Sequence, residues 1–391
     1  MNLFAQRISQ LQGEGAYKVL AQANALEAEG RSIVHLEIGQ PNFPTPKHIS
    51  EAAFHAISQG KTGYTASQGT PALRQAISEY CLQHKKVHTN ANEVVVAPGA
   101  KPIIFYSMLA LVEPGDEVIV PNPGFPTYAS CVHFCGGTVK DLILSSENQF
   151  DPDPDQLLSL LSPKTKLVIL NNPNNPTGRR TSIATMLRIT ELIRDYSDAY
   201  VLSDEIYDRL VFEQKEEVFS PATVPGMKER TILLDGFSKT YAMTGWRLGY
   251  GVMNPILAEA FARLMVNSNG CTAAFTQDAG VAALHGPQAE VEHMKHEFAE
   301  RSVWLAEQLN QMKGVQCVIP NAAFYVFPRV TATGIDSGVL ADRILNEAGV
   351  ACLDGGSFGS YGKGYLRMST ANSMENLQIA AQRLAAFFEK C

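Results

Sequence analysis

The chain has 391 residues, long enough that two cores are expected rather than one. With 45% hydrophobic and 18% charged residues it is neither disordered nor fibrous. A formal net charge of −7 without a long basic run argues against nucleic acid or an anionic membrane as partner.

The opening "MNLFAQRISQLQGEGAYKVL" lacks a basic start followed by an apolar run, so no signal peptide is expected. It holds one helix and too little else to fold alone, so it should pack on the C-terminal part. From there the chain alternates short apolar runs with longer periodic ones. Strands are expected at 93–98, 116–121, 138–144, 166–172, 199–205, 231–237 and 247–253, with helices between most of them, as at 100–113, 181–197 and 255–267. Val/Ile/Leu-rich strands alternating with helices predict an α/β fold with a largely parallel sheet covered on both faces. Gly286-Pro287 breaks this pattern and marks a domain edge. The remainder, with a long helix over 287–313, further strands, a helix near 337–348 and a final helix from 373, predicts a smaller α+β unit. The expected organisation is therefore 1–42 packing with the small unit, 43–286 as the large unit and 287–391 as the small one. No stretch has the apolar length of a membrane span. The 7 cysteines form no CxxC pair and read as reduced thiols, consistent with a cytoplasmic setting.

In open α/β sheets ligands bind beyond the carboxyl ends of the strands, and unusual polar residues gather there. "APGAKPIIF" puts Gly99 and Ala100 between a strand and a helix, where exposed N–H groups and the helix dipole make either a phosphate cradle or an ordinary turn. In "PNPGFPTY", Phe125 either stacks on a flat ligand or covers the core. "NNPNNPTG" combines prolines that prevent ladder pairing with amides, Asn175 among them, that both donate and accept. "SDEIYD" ends a strand on Asp204, followed by Tyr207; a buried acid there needs a cation or hydrogen bonds, or it caps a helix. "DGFSKTYAMTGWRLGY" then places Lys239 at the end of an apolar strand. A lysine in a dry pocket becomes a nucleophilic amine, and Ser238 and Arg247 add donors suited to a phosphate.

These motifs, in this order and separation, resemble the class I/II aminotransferases, pyridoxal-phosphate enzymes of fold type I, with the aspartate and broad-specificity members nearest. The likeness runs from "EIGQPNFPTP" to "YLRMSTANS". It implies a seven-stranded, mostly parallel sheet between helices, a small domain built from both chain ends, pyridoxal 5'-phosphate as cofactor and a homodimer. By this resemblance Lys239 forms the Schiff base, and Asp204 pairs with the pyridine nitrogen. Tyr207 and Asn175 bond the ring hydroxyl, and Phe125 stacks on the ring. Gly99, Ala100, Ser238 and Arg247, with Lys101 beside them, form the phosphate cup. Tyr64 reaches the phosphate of the neighbouring subunit. Arg367 clamps the substrate carboxylate, with Gly39 and Asn175 beside it. Gly236 departs from many relatives, which carry serine there, so one phosphate hydroxyl is missing and its bond passes to water or backbone.

The implied reaction moves an amino group from an L-amino acid to a 2-oxo acid by ping-pong kinetics, Lys239 serving as general base and acid. Aspartate or glutamate with 2-oxoglutarate are the candidate substrates. Lys101 either pairs a distal carboxylate or lies near the phosphate or in solvent, and Tyr17 either lines the pocket or packs on it. A C–S lyase performing β-elimination is the alternative on the same fold, and a cofactor-sensing regulatory domain is the non-enzyme one. His84 and His88 in "HKKVH", like His293 and His296, lack a third ligand and read as a solvated helix face. The "DPDPD" run at Asp151, Asp153 and Asp155 reads as a helix start rather than a calcium loop. No GxGxxG follows a strand, which disfavours a nicotinamide site.

Overall fold

The computed structural model describes residues 4–11, 13, 15–212 and 218–391. Residues 1–3 of the opening segment lie outside the described residues. The strands are β1 (Val34–His35), β2 (Val94–Ala97), β3 (Glu117–Asn122), β4 (Thr138–Ile143), β5 (Thr165–Asn171), β6 (Tyr200–Asp204), β7 (Thr231–Gly236), β8 (Gly249–Val252), β9 (Tyr325–Val326), β10 (Val350–Ala351), β11 (Leu353–Asp354) and β12 (Leu366–Ser369).

Seven of them form one sheet in the order β2-β8-β7-β6-β5-β3-β4. All neighbours are parallel except β8, which runs antiparallel to both β2 and β7. All seven coincide with expected strands. The central β5, β6 and β7 are apolar on both faces because helices cover both, whereas edge strand β4 is largely half-exposed. Two core clusters flank the sheet's middle. One holds Val95, Ile103, Val118, Leu167, Leu202 and Phe261; the other holds Ile119, Val168, Met186, Ile189 and Val201.

The covering helices start where the sequence supplies caps. Thr70 accepts from the Leu73 amide ahead of Pro71–Lys85, and Ser182 from Thr185 ahead of Ile183–Tyr196. Asn254 accepts from Leu257 ahead of Pro255–Ser268, with proline at the first helical position. Asp153 caps Pro154–Leu160, so the "DPDPD" run begins a helix.

A separate core joins both chain ends. Val34 and Leu36 pack with Leu305, Leu309, Ile344, Leu377 and Phe388. Here β1 pairs with β10, and β11-β12-β9 form an antiparallel sheet. The long helix Ala289–Leu309 serves two cores, since its Met294 and Phe298 pack against Ile206, Tyr207 and Phe324. That contact ties the strand-end residues after β6 to the C-terminal part of the chain.

Two local expectations change. The segment from 247 is not strand at its start: Arg247 has φ 55 and turns the chain before β8 begins at Gly249. The strand expected over 231–237 ends at Gly236, and Ser238 and Lys239 lie on a one-turn helix, Phe237–Thr240, that begins at once.

Candidate active site

Because β8 is the reversed strand, its first residue lies at the same sheet edge as the last residues of β2, β3, β5, β6 and β7. This edge carries a cleft of about 490 Å³. Gly39, Ala100, Lys101, Phe125, Asn175 and Asp204 line it, together with Tyr207, Ser238, Lys239, Arg247, Arg367 and Tyr17. Gly99 sits immediately behind: a Cβ there would stand 2.3 Å from Arg247 Nη2, so glycine at φ +94 lets the guanidinium rest on the turn. Gly249 closes the other side, where a Cβ would meet the Ala100 nitrogen at 2.5 Å. The turn opens directly into the helix Lys101–Leu111, whose N-terminal dipole favours an anion. Arg247 is itself oriented by donating Nη1 to the Thr244 carbonyl at 2.8 Å.

Lys239 is half-buried and donates Nζ to the Gly39 carbonyl at 2.5 Å. Burial pushes its amine down to about 7, helped by Arg367, Arg247 and Lys101 and opposed by Asp204. Asp204, buried at the end of β6, accepts from the Tyr128 hydroxyl at 2.5 Å and from the Ile206 amide at 3.3 Å. Burial raises its carboxyl to about 6 despite the Tyr128 bond. Asn175 is buried in the loop after β5. Its backbone N–H donates to Asn171 Oδ1 at 3.0 Å, while its own Oδ1 is buried without a partner. That orphaned atom, the glycine-floored cradle and the depressed amine are what a phosphorylated, hydroxylated heterocycle would satisfy.

Arg367 is buried on β12, donates to the Glu37 carbonyl, and stacks 4.8 Å from the Tyr325 ring and 5.2 Å from Phe358. Its Nε is buried and unpartnered. Lys101 stands 5.4 Å over the Phe125 ring.

Tyr64 is the predicted site residue the cleft does not gather. It is 98% exposed, so within one chain it touches almost nothing. Gly236 stands where the strands come close. A side chain there would meet Gly249 Cα at 3.0 Å and the Leu248 carbonyl at 3.2 Å, and its N–H donates to Asp235 Oδ1 at 2.6 Å. The position is thus closely approached by β8, and its backbone N–H is engaged with Asp235.

Two site residues escaped the sequence reading. Tyr128 lies three positions after Phe125, in the first turn of the helix Thr127–Phe134, and that spacing could have flagged it. Tyr325 bonds Tyr207, hydroxyl to hydroxyl at 2.8 Å, and packs so closely that a Cβ at Gly39 would stand 2.3 Å from its oxygen. In sequence it was merely part of an apolar strand. His84 and His88 are exposed as expected, and no group of three or more potential ligands for a metal occurs among the described residues. Lys85 between them, read as part of a solvated face, is instead fully buried, because three carboxylates from distant segments surround it.

The fold is that of a transaminase of fold type I, and comparison with known proteins agrees. Residues 31–384 match the family described as "Aminotransferase class I and II". The chain is 35% identical to an aspartate aminotransferase of Rhizobium meliloti, over 98% of this chain and 95% of that one. It is 34% identical to an aspartate/prephenate aminotransferase of Nitrosomonas europaea, over 98% of each. The aspartate aminotransferase of Thermus thermophilus with maleate superposes with a TM-score of 0.94 at 35% identity, covering 99% of this chain and 100% of that one. The chain therefore belongs to the class I and II aminotransferases, and it transfers amino groups between amino and 2-oxo acids. No helix among the described residues is long and apolar enough to cross a membrane.

Proposed function

We propose that this aminotransferase holds pyridoxal 5'-phosphate in the cleft and takes a dicarboxylic donor such as aspartate or glutamate, with 2-oxoglutarate as acceptor. The observation that carries the reading is Lys239, an amine held near 7 among three other cations and facing a buried carboxylate. Gly99, Ala100, Ser238 and Arg247 would hold the phosphate, and Asp204 the ring nitrogen. Tyr207 and Asn175 would hold the ring hydroxyl, and Phe125 the ring face. When bound, the cofactor supplies the electron sink that acidifies the substrate Cα–H. Lys239, whose amine near 7 leaves a large unprotonated fraction at neutral pH, takes that proton and returns it to the product side. Arg367 engages the α-carboxylate with its fork and so fixes which Cα bond faces the lysine.

The acidic preference rests on Lys101 and on relatives whose names include aspartate. The exposure of Tyr64 supports a homodimer in which this ring completes the neighbour's site. A half-reaction screen across amino acids, read as loss of the cofactor's near-visible band, tests the reading. Aspartate and glutamate should bleach the band fastest, and 2-oxoglutarate should restore it. Pyruvate and ammonia formed from a cysteine conjugate without any oxo-acid acceptor would instead establish the β-eliminating alternative.

A further inference from the structure

Lys85 ends the helix Pro71–Lys85 and is completely buried. Its Nζ lies 3.0 Å from Glu205 Oε2 and 3.0 Å from Asp235 Oδ2, and it contacts Asp208 Oδ2. The proposed chemistry uses none of these four groups. Two of the carboxylates have further partners. Glu205 Oε1 accepts from Ser203 Oγ at 2.8 Å and Ser220 Oγ at 2.6 Å, and Asp235 Oδ2 from the Tyr250 hydroxyl at 3.1 Å. Asp208 Oδ1 is buried with no partner.

Burying a cation with three carboxylates is a costly way to fill a core, since apolar side chains of similar volume serve stability as well or better. The positions of the carboxylates give the arrangement a purpose. Glu205 follows Asp204, Asp208 follows Tyr207, and Asp235 precedes Gly236 and the turn bearing Ser238 and Lys239. Successive residues of an extended strand face opposite ways, so at the end of β6 Asp204 turns to the cleft while Glu205 turns behind it. Backbone bonds link the same pieces: the Glu205 amide donates to the Leu234 carbonyl at 2.9 Å, and the Asp208 amide to the Glu205 carbonyl at 3.0 Å.

We propose that Lys85 is a positioning residue for the transamination site. It pins together, from behind the sheet edge, the stretch 204–208 that carries Asp204 and Tyr207 and the end of β7 that leads to Lys239. This rests on the reading that these residues hold the cofactor. Site groups must stay within about 0.5 Å of productive geometry, and one ammonium shared by these two segments fixes their mutual register.

The test uses the cofactor-loaded enzyme and the variant Lys85→Met/Asp208→Asn/Asp235→Asn, which removes the cation with two of its anions and leaves Glu205 its serine donors. Thermal unfolding and cofactor content first establish that it is folded and loaded. Exchange of the Glu205 and Asp208 amides should then rise about tenfold. The circular dichroism of the cofactor's near-visible band should fall by about half, and kcat by about tenfold or more with KM little changed. A folded, loaded variant with wild-type exchange, dichroism and kcat would overturn the proposal and leave Lys85 as core filling. Should the triple variant not fold, Asp235→Asn keeps Lys85 with Glu205 and Asp208 but cuts its ionic tie to the strand that leads to Lys239. The same amides should then exchange faster and the dichroism weaken, and unchanged values would overturn the proposal equally. Failure of the functional reading itself looks different, because the wild-type protein would then show no cofactor band and no half-reaction.

Discussion

Lys239 and Lys85 stand in front of and behind the same strand ends, and desolvation pushes both amines down, yet their neighbours drive them apart. Around Lys239 the cations Arg367, Arg247 and Lys101 outweigh Asp204 and add to burial, so its amine falls to about 7. Around Lys85 the neighbours are the carboxylates Asp208, Asp235 and Glu205, so its ammonium is held well above the ordinary lysine value. Burial alone does not make a lysine a base; the sign of the surrounding charge does. The front is built to receive negative charge it does not carry, as a phosphate and a substrate carboxylate would bring. The back already contains its own anions and is closed to ligands.

The largest break in this contrast is Lys239→Ala. Half-transamination, followed as loss of the near-visible band with a good donor, should fall by about 10³-fold or more, since general acid–base transfer contributes up to about 10⁴. A variant that still converted the cofactor at the wild-type rate would sink the assignment. The same residue predicts a pH effect in the cofactor-free protein. Its folded value near 7 lies below the ordinary 10.5, so its contribution to stability is full above 10.5 and is lost as pH falls from there through 7. Melting temperature against pH should therefore lose part of its slope between these values in the variant.

Asp204→Asn comes next. It keeps the size of the group but removes the charge that would hold the ring nitrogen protonated, and kcat should fall on the order of 10²-fold. The Tyr128 hydroxyl would retain an acceptor, so cofactor should still bind. An unchanged rate would count against the ring-nitrogen role.

Arg367→Lys should lower kcat/KM about 10- to 10²-fold for every donor, because a point charge cannot replace a fork against a carboxylate. The Tyr325 and Phe358 rings that flank the guanidinium add to the loss, since they stack on a planar cation. Steady-state kinetics with two donors of different side chain would check that the loss is uniform.

The front of the molecule was far more legible in sequence than the back. Strands of Val, Ile and Leu ending in Asn, Asp, Lys and Gly advertise both a parallel sheet and its ligand edge, and every central strand lies where those runs put it. The reversal of β8 was not legible, because direction depends on the connection, and the left-handed turn at Arg247 gives no compositional signal. Lys85 was misread for a related reason. "HKK" looks solvated by local pattern, and the groups that make its burial tolerable lie 120 or more residues away in sequence. Tyr325 was hidden similarly: a hydroxyl inside an apolar strand shows its purpose when its partner, Tyr207, is seen 2.8 Å away. Gly236, which sequence marks only as a missing hydroxyl, also lies at a point of close strand approach that no local pattern shows.

The finest test concerns Lys101, the front cation at the start of the helix Lys101–Leu111. Burial and Arg247 both lower its amine, and it stands 5.4 Å over the Phe125 ring. Lys101→Gln separates a role toward substrate from one toward phosphate. If it pairs a distal carboxylate, kcat/KM should fall about 3- to 10-fold for aspartate and glutamate and stay level for alanine, the scale of one partly exposed charged contact. If it supports the phosphate instead, cofactor affinity should fall and all donors should suffer alike. A loss confined to acidic donors would show that the positive front is divided, Arg247 answering the cofactor and Lys101 the substrate. A uniform loss would show that it acts as one anion site.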